Sequence, residues 1–149
     1  GRDSKAFLDA GYNVTAIDGC AELAAKAADV MGQPVKVMSF AELDDNGIFD
    51  GIWACASLLH CDKSQITLVL KKVIVGLKPG GTAYMSFKWG DGEIIDEKGR
   101  LFNNYTDDSL RDFISKFKTV GITKLWSETQ PLRGGQQRWL NLLVKKDTV

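Results

Sequence analysis

A single acidic residue, Asp18, ends the apolar stretch YNVTAID. A carboxylate offers two acceptor oxygens, and the neighbouring hydroxyls of a ribose offer two donors. An acid at the end of a strand can therefore bind the ribose of a nucleoside cofactor. It can equally cap the N-terminus of a following helix, and the local pattern favours neither role.

The only histidine, His60, lies in the stretch ACASLLHC together with Cys55 and Cys61. These three residues show no paired CxxC or HxxxH spacing, so we predict no metal site. Histidine titrates near neutral pH and can act as a general base. A polar cap on the following turn is the alternative, and no catalytic dyad stands out. We therefore assign no catalytic residue from the sequence.

Apolar, β-branched stretches alternate with helix-compatible ones, and short connections join them. This rhythm predicts right-handed βαβ units in a mostly parallel sheet with helices on both faces. Ser64 and Thr106 are the expected N-caps of the third and fourth helices, and KPGG the expected turn after the third helix. The predicted helices are 4–10, 21–32, 65–78 and 106–121, with one helical turn in 41–47; the predicted strands are 12–18, 35–40, 49–57, 82–88, 122–129 and 138–146.

Two later regions depart from this rhythm. The last two strands are joined only by QPLRGGQQ, so they must be antiparallel neighbours. Residues 89–105 are polar and lack clear periodicity, which predicts a long loop. The loop begins at the carboxyl end of a strand, where open α/β sheets bind ligands, and we expect it to be mobile and to border a ligand pocket. Permanent packing of its apolar residues on the sheet edge is the alternative.

Composition narrows the class of protein. The 149 residues carry 19 basic and 19 acidic side chains, so the net charge gives no reason to expect nucleic acid or a membrane as a partner. No apolar run approaches the ~20 residues that span a bilayer. Three cysteines are an odd set, which favours a reducing, cytoplasmic location. We expect one domain over residues 1–149; the oligomeric state does not follow from the sequence.

The stretches GRDSKAFLDAGYNVTAID, FDGIWACASLLH and LKPGG, followed by the closing strand pair, resemble a class I S-adenosylmethionine-dependent methyltransferase along the whole chain. The GRDS opening is similar to the tellurite-resistance and thiopurine type. The resemblance implies a Rossmann-like α/β fold and methyl transfer from S-adenosylmethionine to a small acceptor. It also implies that Gly1 is the last glycine of the cofactor loop, so the first strand and most of that loop are expected to precede this chain.

The resemblance implies roles for individual residues. Asp18 would hold the ribose, and Ser39 and Phe40 would flank the adenine, although an acid is common in the family where Ser39 stands. Small residues after the strand 49–57 would let the backbone approach the methionine part of the cofactor. The implied cofactor-binding set is Gly1, Asp18, Gly19, Cys20, Ser39, Phe40, Ala54, Cys55 and Ala56; the implied substrate-binding set is Arg2, His60, Lys88, Trp89 and Arg138.

Two other functions stay open from the sequence. A nicotinamide-dependent oxidoreductase shares the strand–helix rhythm, but the antiparallel closing pair and LKPGG argue against it. A non-catalytic nucleoside-binding module is the second alternative, because Ser39 is uncharged and would bind adenine weakly.

Overall fold

The computed structural model describes residues 1–148. Contacts divide the chain into two units, residues 1–43 and residues 44–149, and each is described by itself. The helices are α1 (Arg2–Asp9), α2 (Ala21–Met31), α3 (Ile66–Gly76) and α4 (Asp107–Ser115), with short 3₁₀ helices at Phe40–Glu42 and Leu58–His60; the strands are β1 (Ile17–Asp18), β2 (Lys36–Val37), β3 (Phe49–Ala54), β4 (Leu77–Lys88), β5 (Gly92–Ile95), β6 (Leu101–Asn104), β7 (Val120–Leu132) and β8 (Gly135–Lys146).

The first unit is built around one short parallel pair. Strand β1 pairs with β2, so that Asp18 lies opposite Val37. Helix α2 connects the two strands and ends at Gly32, whose φ of +74° is left-handed and whose N–H donates to the Ala28 carbonyl. Strand β1 is much shorter than the predicted strand 12–18. Strand β1 is therefore held in place by a few backbone hydrogen bonds and by the helix that follows it.

The second unit contains a four-stranded sheet in the order β3-β4-β8-β7. Strand β3 runs parallel to β4, whereas β8 runs antiparallel to both β4 and β7. The predicted antiparallel closing pair is thus confirmed, and β7 forms one edge of the sheet. The strands are longer than expected, because most of QPLRGGQQ pairs within them and only a tight turn at Arg133 and Gly134 joins them.

The core of the second unit lies on one face of this sheet. Residues that alternate along the two central strands are fully buried, as the period of a strand requires. Helices α3 and α4 bury their apolar stripes as well. The buried set on these elements includes Ala83, Met85, Phe87, Leu140, Leu142 and Val144 from the strands and Ile66, Leu70, Leu110 and Ile114 from the helices.

Several local predictions in this unit are wrong. Helix α4 was predicted to reach 121 but ends at Ser115, and β7 already begins at Val120. Helix α3 begins after Gln65 rather than Ser64, and the carboxylate of Asp62 accepts from the Gln65 N–H at 2.8 Å. An aspartate caps this helix start, and Ser64 only donates to it. The KPGG stretch lies inside β4, where the register with β3 shifts between Phe49 and Gly51. Gly80, at a φ of +82°, permits that irregularity.

The stretch 89–105 is not a long loop. Its strands β5 and β6 form an antiparallel hairpin. The hairpin escaped prediction because its two isoleucines, Ile94 and Ile95, are adjacent and do not alternate with polar residues. Both are exposed, whereas Phe102 of β6 is buried. The expectation that this segment moves over a ligand stays a prediction.

Candidate functional site

Asp18 stands at the carboxyl end of β1, at the start of α2. Its Oδ1 accepts a hydrogen bond from the N–H of Cys20 at 2.9 Å. Cys20 is the N-cap of α2, and its own side chain makes no capping bond. One oxygen of Asp18 therefore stabilises the helix start, which is the alternative role given above. Within residues 1–148 the second oxygen has no hydrogen-bond partner, so the half-buried carboxylate can still accept from a ligand.

Ser39 begins the 3₁₀ helix after β2 and forms a capping box with Glu42. The Ser39 hydroxyl donates to the Glu42 carboxylate at 3.0 Å, and the Ser39 N–H approaches the same oxygen at 3.3 Å. Glu42 was missed from the sequence, although the spacing Ser-x-x-Glu is the signature of this motif. The structure thus places a negative charge beside the uncharged residue that was expected to face adenine. Phe40, next in the chain, is half-buried.

The remaining predicted residues of the first unit differ in their surroundings. A Cβ added to Gly19 would lie 4.0 Å from the nearest atom, the Met38 carbonyl oxygen, so the backbone there is open to a ligand. A Cβ added to Gly1 would come within 2.9 Å of Ala27 Cα, so Gly1 packs closely against α2. Arg2 is almost fully exposed and lies 3.8 Å from the carboxylate of Asp3. Asp18 has a carboxylate oxygen without a protein partner, and the backbone at Gly19 has free space beside it. Both features are compatible with a bound nucleoside.

The turn after β3 contains the three predicted small residues. Ala54 is buried and Cys55 is exposed. Ala56 has a φ of +48°, a left-handed conformation that is strained for any residue except glycine. Its N–H donates to the hydroxyl of Ser86 on the neighbouring strand β4 at 2.6 Å. Ser86 is 3% exposed, so a buried serine holds this turn in its strained shape.

His60 and Lys88 each contact the ring of Phe102. The His60 ring centroid lies 4.9 Å from that of Phe102, and the Lys88 Nζ lies 3.8 Å from it. The His60 Nδ1 is 2.9 Å from the Leu101 carbonyl oxygen. The sequence predicted His60 and Lys88 separately but missed Phe102, because it assigned that residue to a loop. Phe102 of the hairpin therefore contacts both predicted side chains.

Trp89 and Arg138 are also brought together, but around an acid. The Arg138 guanidinium lies 4.5 Å from the Trp89 ring centroid. The Trp89 indole donates to the Asp107 carboxylate at 3.0 Å, and Arg138 lies 3.8 Å from the same oxygen. Asp107 begins α4, where the helix dipole favours a negative charge. These two predicted residues therefore have protein partners that compete with a ligand.

A buried tyrosine lies behind the hairpin. Burial raises the pKa of Tyr105 to about 12, and the Asn103 amide donates to its hydroxyl at 3.1 Å. The Lys63 ammonium lies 3.9 Å from the Tyr105 ring centroid, and burial lowers the pKa of Lys63 against the opposing charge of Glu93. Tyr105 and Asn103 are buried, whereas Lys63 and Glu93 are exposed. Across residues 1–148, no group of three His, Cys, Asp or Glu side chains is arranged to hold a metal ion, and no helix is both long and apolar enough to span a bilayer.

The first half of the chain matches a known protein family. A model described as a methyltransferase domain matches residues 1–85 of the 149. The chain belongs to this methyltransferase family. The match includes both short parallel strands, α3 and the start of β4. No curated protein sequence matches the chain significantly.

Solved structures match nearly the whole methyltransferase chain. The 1,6-didemethyltoxoflavin-N1-methyltransferase of Burkholderia thailandensis, with its acceptor and S-adenosylhomocysteine bound, is 25% identical with a TM-score of 0.81 over 99% of this chain and 67% of that one. A SAM-dependent methyltransferase of Methanosarcina mazei is 17% identical, with a TM-score of 0.81 over 97% and 86%. The magnesium protoporphyrin IX methyltransferase of Synechocystis, with SAM bound, is 15% identical, with a TM-score of 0.68 over 99% and 65%.

These results confirm the recognition of a class I S-adenosylmethionine-dependent methyltransferase with a Rossmann-like α/β fold. The methyltransferase is an enzyme with S-adenosylmethionine as its methyl donor, which leaves no support for the oxidoreductase or for the non-catalytic module. The assignment of individual cofactor and substrate residues stays a prediction.

Proposed function

We propose that this methyltransferase transfers a methyl group from S-adenosylmethionine to a small-molecule acceptor. The observation that supports this best is its likeness to the Burkholderia enzyme, which holds 1,6-didemethyltoxoflavin together with S-adenosylhomocysteine. The balanced charge of the chain also favours a small acceptor over nucleic acid.

We propose that the first unit binds the nucleoside part of the cofactor. Asp18 accepts from the ribose hydroxyls through the oxygen that has no protein partner, while its other oxygen fixes the start of α2. Gly19 gives open backbone beside it, and the pair of Ser39 and Glu42 offers an acceptor to the adenine amino group. Glu42 supplies the charge that Ser39 lacks.

In the second unit, the strained turn at Ala56 lies at the carboxyl end of β3, where open α/β sheets bind ligands. We assign Ala54, Cys55 and Ala56 to the methionine part of the cofactor, and His60 and Lys88 to the acceptor. When bound, S-adenosylmethionine supplies an electrophilic methyl group. The protein's main task is then to align the acceptor with that methyl and to exclude water.

Two measurements test the proposal. In calorimetry, the protein should bind S-adenosylmethionine and S-adenosylhomocysteine and not NAD⁺. In a second assay, the release of S-adenosylhomocysteine is followed with a panel of acceptors: 1,6-didemethyltoxoflavin, 4-hydroxyacetophenone and 4-nitrothiophenol as small molecules, and bulk transfer RNA and casein as polymers. Turnover with at least one small molecule is expected. Turnover with a polymer alone would overturn the proposed acceptor class while leaving the enzyme class intact.

A further inference from the structure

The hydrogen bond at His60 determines which of its ring nitrogens carries a proton. His60 Nδ1 lies 2.9 Å from the carbonyl oxygen of Leu101. A backbone carbonyl can only accept, so Nδ1 must be the donor. When the imidazole is neutral, its single proton therefore sits on Nδ1, and the lone pair is on Nε2. The β6 backbone thus selects the tautomer whose free nitrogen is basic.

The same imidazole is held in place and open to ligands. Its 3₁₀ helix is anchored by Leu58 and Leu59, each 1% exposed, while His60 itself is exposed. The Phe102 ring packs against the imidazole at an interplanar angle of 54°. Nε2 makes no hydrogen bond to any group in residues 1–148. A base that is fixed by one nitrogen and free at the other is arranged to accept a proton from a bound molecule.

The ammonium group of Lys88 contacts the same aromatic ring as His60. The Lys88 Nζ is 3.8 Å from the centroid of the Phe102 ring that His60 also contacts. No carboxylate within residues 1–148 forms a salt bridge with Lys88. An ammonium group without an anionic partner can stabilise negative charge that develops on a ligand.

The other charged groups near His60 have partners. On the hairpin, Arg100 pairs with Asp96 at 2.9 Å, and Glu93 accepts from the Lys63 N–H at 2.6 Å. On the stretch that follows His60, the Asp62 carboxylate accepts from Ser64 and Gln65, and the buried thiol of Cys61 has a pKa raised by burial. Lys63 lies over the Tyr105 ring. Lys88, like Lys63, lies over an aromatic ring, and no salt bridge among the described residues neutralises its charge.

We propose that His60 Nε2 is the general base of methyl transfer and that Lys88 stabilises the charge that develops on the acceptor. This inference rests on the proposed function and deepens it, because it requires an acceptor whose nucleophilic atom carries a proton, as in O–H, N–H or S–H. A lone pair on that atom forms the new bond to the methyl carbon. The electron pair of the broken sulfur–carbon bond stays on sulfur, and the acceptor's proton goes to Nε2.

The tautomer can be read without any acceptor, because His60 is the only histidine. Long-range ¹H–¹⁵N correlation of the protein at mildly alkaline pH gives one imidazole pattern. We expect a protonated Nδ1 and an unprotonated Nε2. The opposite tautomer, or a rapid average of the two, would overturn the inference whatever the outcome of the acceptor panel.

Kinetics then separate a base from a merely structural histidine. His60→Asn can keep a donor to the Leu101 carbonyl while it removes the basic nitrogen, so it is the matched variant; His60→Gln is the second. With 4-hydroxyacetophenone, which is largely protonated below its phenol pKa, we expect each variant to lose at least ~100-fold in kcat and to lose the decline in rate at acidic pH. With 4-nitrothiophenol, which is already ionised, kcat should stay within about threefold of wild type.

Lys88→Met removes the charge while it keeps most of the side-chain length. It should lower kcat with 4-hydroxyacetophenone, on which negative charge develops as the proton leaves. With 4-nitrothiophenol, which is already an anion and loses its charge on methylation, it should instead raise KM. Calorimetry with S-adenosylhomocysteine should show unchanged cofactor affinity in all three variants. Equal losses for both acceptors in His60→Asn would overturn the role as base. If no acceptor on the panel is turned over, the proposed acceptor class fails, and the tautomer still decides whether His60 presents a basic nitrogen.

Discussion

The two units of the molecule hold their ligand-binding candidates by different means. In residues 1–43, Asp18 and Ser39 are fixed by hydrogen bonds to residues two and three positions away. In the second unit, Ala56 is fixed by Ser86 thirty positions away, and His60 by Leu101 forty-one positions away. Local contacts in the first unit and distant contacts in the second therefore determine the positions of the candidate side chains.

The difference follows from how much apolar surface each unit buries. Only Ala24 and Met31 are buried in the first unit, and its strands have two residues each. The second unit buries a contiguous set of side chains between a four-stranded sheet and two helices. Since local stability follows buried contacts, we expect the first unit to open more readily than the second. A cofactor that binds the first unit would then stabilise the part of the chain that most needs it.

The largest difference between the two units is expected in the stability change caused by a leucine-to-alanine substitution. Leu142 on β8 is fully buried, whereas Leu23 on α2 is 53% exposed. Leu142→Ala should lower the free energy of unfolding by ~2–5 kcal/mol, because it removes buried methyl groups and leaves a cavity. Leu23→Ala, the matched change in the first unit, should stay within about 0.5 kcal/mol. Urea denaturation followed by circular dichroism measures both.

Equal losses in the two leucine variants would contradict the comparison. They would mean that Leu23 is buried in solution and that the first unit packs more apolar surface than the structure shows.

A smaller effect is expected at Asp18, the candidate ribose ligand of the first unit. Asp18→Ala should weaken S-adenosylmethionine binding by about 1.5–3 kcal/mol, the usual range for hydrogen bonds to a charged group. This corresponds to roughly a 10- to 150-fold rise in Kd in calorimetry. Asp29→Ala is the control, since Asp29 is an exposed acid on α2.

The hydrogen bond to Cys20 complicates this variant, because Asp18→Ala also removes a contact that fixes the start of α2. Asp18→Asn keeps an acceptor for the Cys20 N–H while it removes the charge. If the Asn variant binds as wild type does and the Ala variant does not, Asp18 serves the helix and not the ribose.

The sequence predicted mainly those parts of the fold that depend on contacts between residues close together in the chain. Helix α2, the start of helix α4 and the antiparallel closing pair were predictable because their signals are local: Gly32 after a helix, Thr106 before one, and a connection too short for a crossover. The hairpin 92–104 is an exception, since its pairing is local but neither of its strands alternates between apolar and polar residues.

The candidate site divides in the same way. Asp18 could be proposed from its place at the end of an apolar stretch, and Glu42 could have been found from its spacing to Ser39. The roles of Ser86, Leu101 and Asp107 could not, because each acts on a residue at least 18 positions away. No periodicity in the chain reports such pairs.

The smallest difference between the two units is expected in the stability change caused by substituting the N-cap residue of a helix. Thr106 caps α4 with its hydroxyl, which accepts from the Ser109 N–H at 3.1 Å. Thr106→Ala should therefore cost ~1 kcal/mol, since it leaves an N–H without a partner at the helix start. Cys20 occupies the same position in α2, but its side chain makes no capping bond. Cys20→Ala should cost much less, because the backbone bond to Asp18 survives it.

Amide hydrogen exchange measures each helix separately, which a global denaturation curve cannot do when the two units open independently. In Thr106→Ala, the amides of the first turn of α4 should exchange about fivefold faster, which is what ~1 kcal/mol implies. In Cys20→Ala, the amides at the start of α2 should be unchanged, and Thr106→Ser should restore the wild-type rate in α4. Faster exchange at α2 in Cys20→Ala would show that the thiol caps that helix in solution, and the first unit would then hold its helix start by the same means as the second.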